Sequence, residues 1–274
     1  MKFHPETSVK AACLLVAASA VITSASAVSL PVTYFDFLGQ NALPSMGRTV
    51  HPDFNLNPRD TTTPGMVGTS VGANGPTFVN TGGVPLARPQ LTTAANLDMW
   101  YVNTPAYNME IPSSLNAINL GNGQRQFNYP SDFFPLDGQG LGDFRDSGHN
   151  FHFTMKYEQS FMYDASLPNL FDFAADDDLY VFINGNLWVD LGGIKPVENP
   201  VISKDLNADA GALGLVDGGI YTYQLFFAER HTTQSALIAT LPGAVPEASA
   251  LMPAITLGGV AGLLALRRRK AQAA

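Results

Sequence analysis

The stretch that most limits what this chain can become is residues 171–193, FDFAADDDLYVFINGNLWVDLGG, where an apolar strand meets three consecutive carboxylates and then a tight hairpin. Leu179, Val181 and Ile183 alternate with Tyr180 and Phe182, and Leu187, Val189 and Leu191 alternate with Trp188 and Asp190. A period of two belongs to strands with distinct faces. Asn184-Gly185 lies between the two runs, a pair that favours positive backbone torsions and hence a short hairpin turn. Asp176, Asp177 and Asp178 therefore stand at the mouth of a buried hairpin. Three adjacent negative charges repel one another unless they are solvated, hydrogen-bonded or bridged by a cation. The pattern leaves two readings open: a hard divalent cation held at the corner, or strand-capping carboxylates that face water.

The rest of the chain reads as further short strands. Residues 28–37 alternate Val32, Tyr34 and Asp36 against Thr33, Phe35 and Phe37. Residues 39–90 are rich in Gly, Pro, Asn and Thr, which predicts long ordered loops with short strands. Residues 97–102 predict a short strand, and 119–141 return to turn residues. Phe151, Phe153, Met155 and Tyr157 mark another strand, followed after the hairpin by strands over 220–228 and 236–241. No helical stretch of useful length is expected. Many short strands with Gly and Pro punctuation predict an all-β fold, an antiparallel sandwich or barrel.

Both ends carry processing signals. Lys2 and Lys10 precede an apolar stretch over 11–22, and Ala25-Ser26-Ala27 has the small-residue spacing of a signal peptidase site, so the leader is expected to end at Ala27. Residues 248–266 contain no charge and run directly into Arg267, Arg268, Arg269 and Lys270. A segment of that length can just span a bilayer with its cationic end in the cytoplasm; a buried C-terminal helix is the plainer alternative. Removing both ends leaves nine basic residues against twenty-one acidic ones, a net charge of −12. Such a body repels nucleic acid and anionic lipid and tolerates bound cations. The single cysteine, Cys13, lies in the leader, so the mature domain from 28 to 243 has no thiol for a disulfide or thiolate site.

Two resemblances sharpen this picture. Val245, Pro246 and Glu247, followed by the apolar segment and the Arg-rich end, resemble the PEP-CTERM sorting signal of Gram-negative bacteria, although Ala248 stands where that family has a second Pro. The resemblance covers residues 244–274 and implies an exosortase partner, transient membrane anchoring, and delivery to the cell surface or an exopolysaccharide matrix. In the body, HPDF (51–54), PGMVG (64–68), WYVNTPAYN (100–108), FFPLDG (133–138), HNFHFT (149–154), the acidic hairpin and LFFAERHTT (225–233) resemble the fibro-slime domain. That domain is similar to the lectin-like module first named in anthrax protective antigen, which implies a β-sandwich that binds carbohydrate. In calcium-dependent lectins of the wider group, two adjacent aspartates joined by a cis peptide bond hold the ion, which also coordinates sugar hydroxyls.

Carried onto this chain, the resemblance implies Asp176 and Asp177 as the metal pair, with Asp178 at a position the group fills with Gly. Glu229 falls near the place of a further side-chain ligand, usually an Asn. Calcium takes about six to eight oxygen ligands, so loop carbonyls and other oxygens are needed besides. Arg230 either meets the bound ligand or pairs with Asp176 or Asp177 in a salt-bridged corner without metal. His231, in the same loop, is placed to touch a ligand, and Trp188 is either a sugar-stacking ring or core. His149 and His152 are three apart, which on a strand sets them on opposite faces and argues against a shared zinc. No Ser/His/Asp signature, Gly-rich phosphate loop or His/Glu metalloprotease motif is present. A glycosidase would need two carboxylates about 5–10 Å apart, which spacing cannot show. The expectation is a non-enzyme.

Overall fold

In the computed structural model, residues 27–39, 47–54, 56, 61–82, 89–142 and 148–245 are described. Ala25, Pro246 and Glu247, with the rest of the leader and the tail, lie outside them. Ala27 is the exposed first residue of a strand and Val245 donates its N–H to the Ser160 carbonyl at 3.2 Å. No helix among the described residues is long and apolar enough to cross a membrane.

Among the described residues, twelve antiparallel strands form one curled sheet: β1 (Ala27–Phe37), β2 (Val67–Gly72), β3 (Gly75–Phe78), β4 (Asn108–Asn119), β5 (Arg125–Tyr129), β6 (Phe153–Met162), β7 (Leu170–Asp176), β8 (Asp178–Ile183), β9 (Asn186–Leu191), β10 (Ile202–Asp205), β11 (Ile220–Glu229) and β12 (Ala236–Leu241). Their spatial order is β10-β7-β12-β5-β4-β1-β6-β11-β8-β9-β2-β3. The expected antiparallel all-β fold is what the chain adopts. Consecutive strands β7 and β8 lie in distant parts of this order, so the chain crosses from one side of the fold to the other at Asp177. The main core joins the two sides, with Phe127, Phe173 and Leu237 from one and Leu179, Val181 and Leu225 from the other.

The hairpin forms where the sequence places it: Asn184 (φ 52°) and Gly185 (φ 75°) make the turn and Ile183 pairs with Asn186. Positive φ at both central residues matches the right-handed twist of the flanking strands. The two faces of β8 are both buried. Leu179, Val181 and Ile183 enter the main core, whereas Tyr180 and Phe182 join Phe54, Met66, Leu97, Trp100 and Tyr101 in a second layer. The long loops between β1 and β4 thus roof the outer face of the sheet.

Two segments differ from expectation. The strand predicted over 97–102 is a short helix, α1 (Ala94–Leu97), continued by turns; the Thr93 side chain caps it by accepting from the Asn96 N–H. Leu97, Trp100 and Tyr101 are all buried, and their i, i+3, i+4 spacing is a helical face. The turn-rich region 119–141 contains β5, and the strand β4 before it is largely exposed. β4 carries little alternation because it is held mainly by its ladder to β1, from Ala27 opposite Ile118 to Phe37 opposite Asn108. A second short helix, α2 (Leu206–Asp209), lies between β10 and β11.

Candidate metal centre at the Asp176–Asp177 corner

Three strand ends converge on one corner. Asp176 closes β7 opposite Ala236, Asp178 opens β8 opposite Ala228, and Glu229 closes β11. Asp177 lies between the two ladders and donates its N–H to the Ala228 carbonyl at 3.3 Å. The Asp176–Asp177 peptide bond is cis. One carboxylate oxygen from each of Asp176, Asp177 and Glu229 lies within 4.8 Å of the others. All four acidic groups are buried, with Asp176 4% exposed, Asp177 1%, and Asp178 and Glu229 0%. The solvated reading of the triplet is therefore set aside.

Each carboxylate has a different set of partners. Asp177 is fixed by two backbone donors, Lys195 N–H to Oδ1 at 3.0 Å and Arg230 N–H to Oδ2 at 2.8 Å. Glu229 accepts the His231 N–H on Oε1 at 3.1 Å, and its Oε2 has no hydrogen-bond partner. A buried acceptor without a partner, on a carboxylate grouped with two others, fits a positive group at this corner, since leaving it bare is unfavourable by about 1–3 kcal/mol or more. The donor set is all oxygen, the kind a hard cation such as calcium prefers.

Arg230 corrects the sequence reading. It was expected on Asp176 or Asp177, or at the ligand; instead its Nε donates to Asp178 Oδ2 at 2.7 Å. Nη1 donates to the carbonyls of Gln90 at 2.6 Å and Asp53 at 3.2 Å, and the guanidinium lies 4.8 Å from the Trp100 ring centroid. The side chain is fully buried, so it turns into the second layer rather than toward a ligand. Asp178 also accepts from Gly193 N–H at 2.6 Å and Tyr180 hydroxyl at 3.0 Å. Asp178 is thus Arg230's counterion.

The electrostatics follow from this division. Burial, then the neighbouring Asp177 charge, pushes Asp176 up from the ordinary carboxylate range to about 9, with Lys195 opposing. Burial raises Asp177, with Arg230 opposing, and burial followed by the charges of Asp177 and Asp176 holds Glu229 well above its usual value. Without a cation the corner keeps protons, because packing three negative charges so close in a poorly solvated site is unfavourable.

Asp176 is the member that reaches open space. It lines a shallow cavity of about 140 Å³ with Asp177, Lys195, His231, Thr233 and Gln234. The structure therefore brings together Asp176, Asp177, Glu229 and His231. It does not bring Trp188 to them: that ring packs on Phe171 and Phe173, donates Nε1–H to Asp209 Oδ2 at 2.7 Å and lines a separate cleft with Lys204. At 8% exposure, Trp188 is mainly core.

Comparison with known proteins gives partial matches. No protein-family model matches the chain. It is similar to three Dictyostelium discoideum proteins: psiR, 31% identical over 68% of this chain, psiD, 33% over 63%, and psiC, 29% over 77%. The chain spans only 19%, 34% and 40% of their respective lengths. Among solved structures, the PA14 domain of the MpAFP antifreeze protein overlaps 44% of this chain and 66% of that one at 12% identity and a TM-score of 0.27. A GH31 α-xylosidase from Xanthomonas citri overlaps 49% of this chain and 13% of its own at 13% identity and a TM-score of 0.24. Overlaps this loose have no weight for the fold or the site.

Sequence reasoning missed Lys195. Its buried Nζ donates to the carbonyls of Ala175 and Asp177 and pairs with Glu198 at 2.9 Å. It therefore grips the backbone on both sides of Asp176. Nothing in the local pattern IKPVEN marks this role, apart from a lone cation three residues before a Glu.

Proposed function

We propose that this chain is an exported, non-catalytic surface or matrix module that holds calcium at Asp176, Asp177 and Glu229 and binds carbohydrate hydroxyls through it. The observation behind this reading is the closeness of three buried carboxylates, one with an orphaned oxygen, beside a cavity that opens at Asp176. Calcium's remaining ligands, out of about six to eight, would come from backbone, water and sugar oxygens. His231 is placed at the cavity wall to meet the sugar. Export and sorting rest on the leader expected to end at Ala27 and the sorting tail expected over 244–274, with signal peptidase and exosortase as processing partners and the surface or matrix of a Gram-negative cell as destination.

One observation favours a second reading, a structural matrix protein in which the cation only locks the corner. The three carboxylates are at most 4% exposed, which leaves a bound ion little open coordination. The readings part in one experiment. Purified protein is titrated with calcium while its melting temperature is followed, and a glycan panel is then screened with and without chelator. The lectin reading expects a higher melting temperature and glycan binding that chelation abolishes, both lost in Asp177→Asn. A thermal shift without glycan binding leaves the structural reading, and no response to calcium overturns the metal site.

A further inference from the structure

The motifs FFPLDG and HNFHFT have no part in the metal corner, yet the structure places them beside it. A cavity of about 260 Å³ is lined by Phe134, His149 and Phe151 on one side and by Asp176, Thr233 and Gln234 on the other. The last three also line the 140 Å³ cavity at the carboxylates, so the two spaces adjoin as two lobes around Asp176. Neither lobe alone reaches the roughly 300 Å³ typical of small-molecule sites; together they do.

The second lobe has an ordered aromatic wall. Phe134 and His149 stack with ring centroids 4.0 Å apart and an interplanar angle of 18°, and Phe151 meets Phe134 edge-on at 4.8 Å. Asp137 holds the histidine in place, with Oδ2 2.6 Å from His149 Nδ1 and Oδ1 accepting the Asn150 N–H at 2.8 Å. The Asn150 side chain is itself held by Asp36 at 2.9 Å. Phe133 N–H donates to the Ser235 carbonyl at 3.1 Å, joining this segment to the loop that carries His231. The His149 side chain nevertheless remains 42% exposed. An apolar ring wall facing hydroxyl, amide and carboxylate groups suits a pyranose, which offers a C–H face to the rings and hydroxyls to the polar side.

We propose that this lobe, built by Phe134 and His149, is a second sugar subsite, so that the chain recognises two adjacent residues of an oligosaccharide rather than a single terminal sugar. The proposal rests on the calcium-lectin reading above. It assigns the carboxylate lobe to one sugar and the aromatic lobe to its neighbour, with Asp176, Thr233 and Gln234 between them.

The test compares monosaccharides with their disaccharides in the presence of calcium: glucose with cellobiose, mannose with α-1,2-mannobiose, and galactose with lactose, by calorimetry. In the pair that binds, the disaccharide should bind about tenfold more tightly than the monosaccharide, the upper range for one ring contact. His149→Ala should bring the disaccharide down to the monosaccharide level while leaving monosaccharide and calcium affinity unchanged, and His149→Phe should restore the difference. Equal affinity for both sugars in the unmodified protein, or an equal loss for both in His149→Ala, overturns the subsite alone. Absence of binding by all six sugars overturns the lectin reading and the subsite with it.

Discussion

Asp178 and Asp176 are two positions apart and almost equally hidden from water, yet they belong to opposite electrostatic regimes. Asp178 sits on the Arg230 guanidinium, with Gly193 and Tyr180 completing its hydrogen bonds. Asp176 shares its space with Asp177 and Glu229, and the nearby ammonium of Lys195 is engaged by two carbonyls and Glu198. Burial by itself does not decide how a carboxylate behaves. What decides is whether a cation from the same chain reaches it with good geometry, because desolvation is offset only by close, hydrogen-bonded opposite charge. The Arg230 side is closed by an ion pair within the chain, with the guanidinium Nη2 left without a hydrogen-bond partner. The Asp176 side is short of positive charge and next to a cleft, as a cation-binding site would be.

The largest effect should come from breaking the closed side. Arg230→Met leaves Asp178 and two carbonyls buried without their donor and removes the contact with Trp100, so urea denaturation should show a loss of about 3–5 kcal/mol. Arg230→Met combined with Asp178→Leu should recover more than half of that. If the double variant is no better than the single one, the pair is not the unit described here.

Two buried histidines and the carboxylate corner should respond to pH with opposite sign. Burial lowers His51 from 6.5 to about 4, helped by Arg230, and burial lowers His152 to about 4, helped by His231. Their folded pKa values are depressed, so the stability they contribute is full above pH 6.5 and is lost as pH falls toward 4, roughly 3 kcal/mol for each. At the carboxylate corner the folded values are raised. There the contribution is full below the ordinary carboxylate pKa and is lost as pH rises through the raised values, toward about 9 for Asp176. Denaturation curves in chelator should therefore fall at both ends of the range, and calcium should remove the alkaline fall while leaving the acid one. An alkaline fall that calcium does not change would contradict the contrast between the two sides.

The smallest effect is expected away from both. Trp188→Phe removes one hydrogen bond to Asp209 and should be unfavourable by about 1 kcal/mol, with calcium and glycan binding unchanged. A loss of glycan binding in this variant would move the ligand to the Trp188 cleft.

Much of this was legible before the structure. The alternation through β8, the Asn184-Gly185 turn and the strand from Ile220 are local patterns, and each appears where the residues place it; in β9 a bulge at Trp188 breaks the expected alternation, sending Leu187 to the second layer and Trp188 with Val189 to the main core. The helical turn after Thr93 was missed because the short apolar, aromatic run over 97–102 suits a strand as readily as the buried face of a helical turn. The three metal candidates came from resemblance, and the chain does bring their oxygens together. Arg230's true partner and the role of Lys195 were not legible, since any of several carboxylates satisfies a linear reading.

The sequence by itself determined the strand period and most turn positions, because each depends on residues close along the chain, and the acidic balance, which is composition alone. Only the tertiary structure decided which aspartate is neutralised and which is left short of charge. That choice hangs on groups far apart in sequence: Arg230 reaches Asp178 across 52 positions and the Asp53 carbonyl across 177. Electrostatic pairing falls off with distance in space, and the folded sheet brings those groups within a few ångströms.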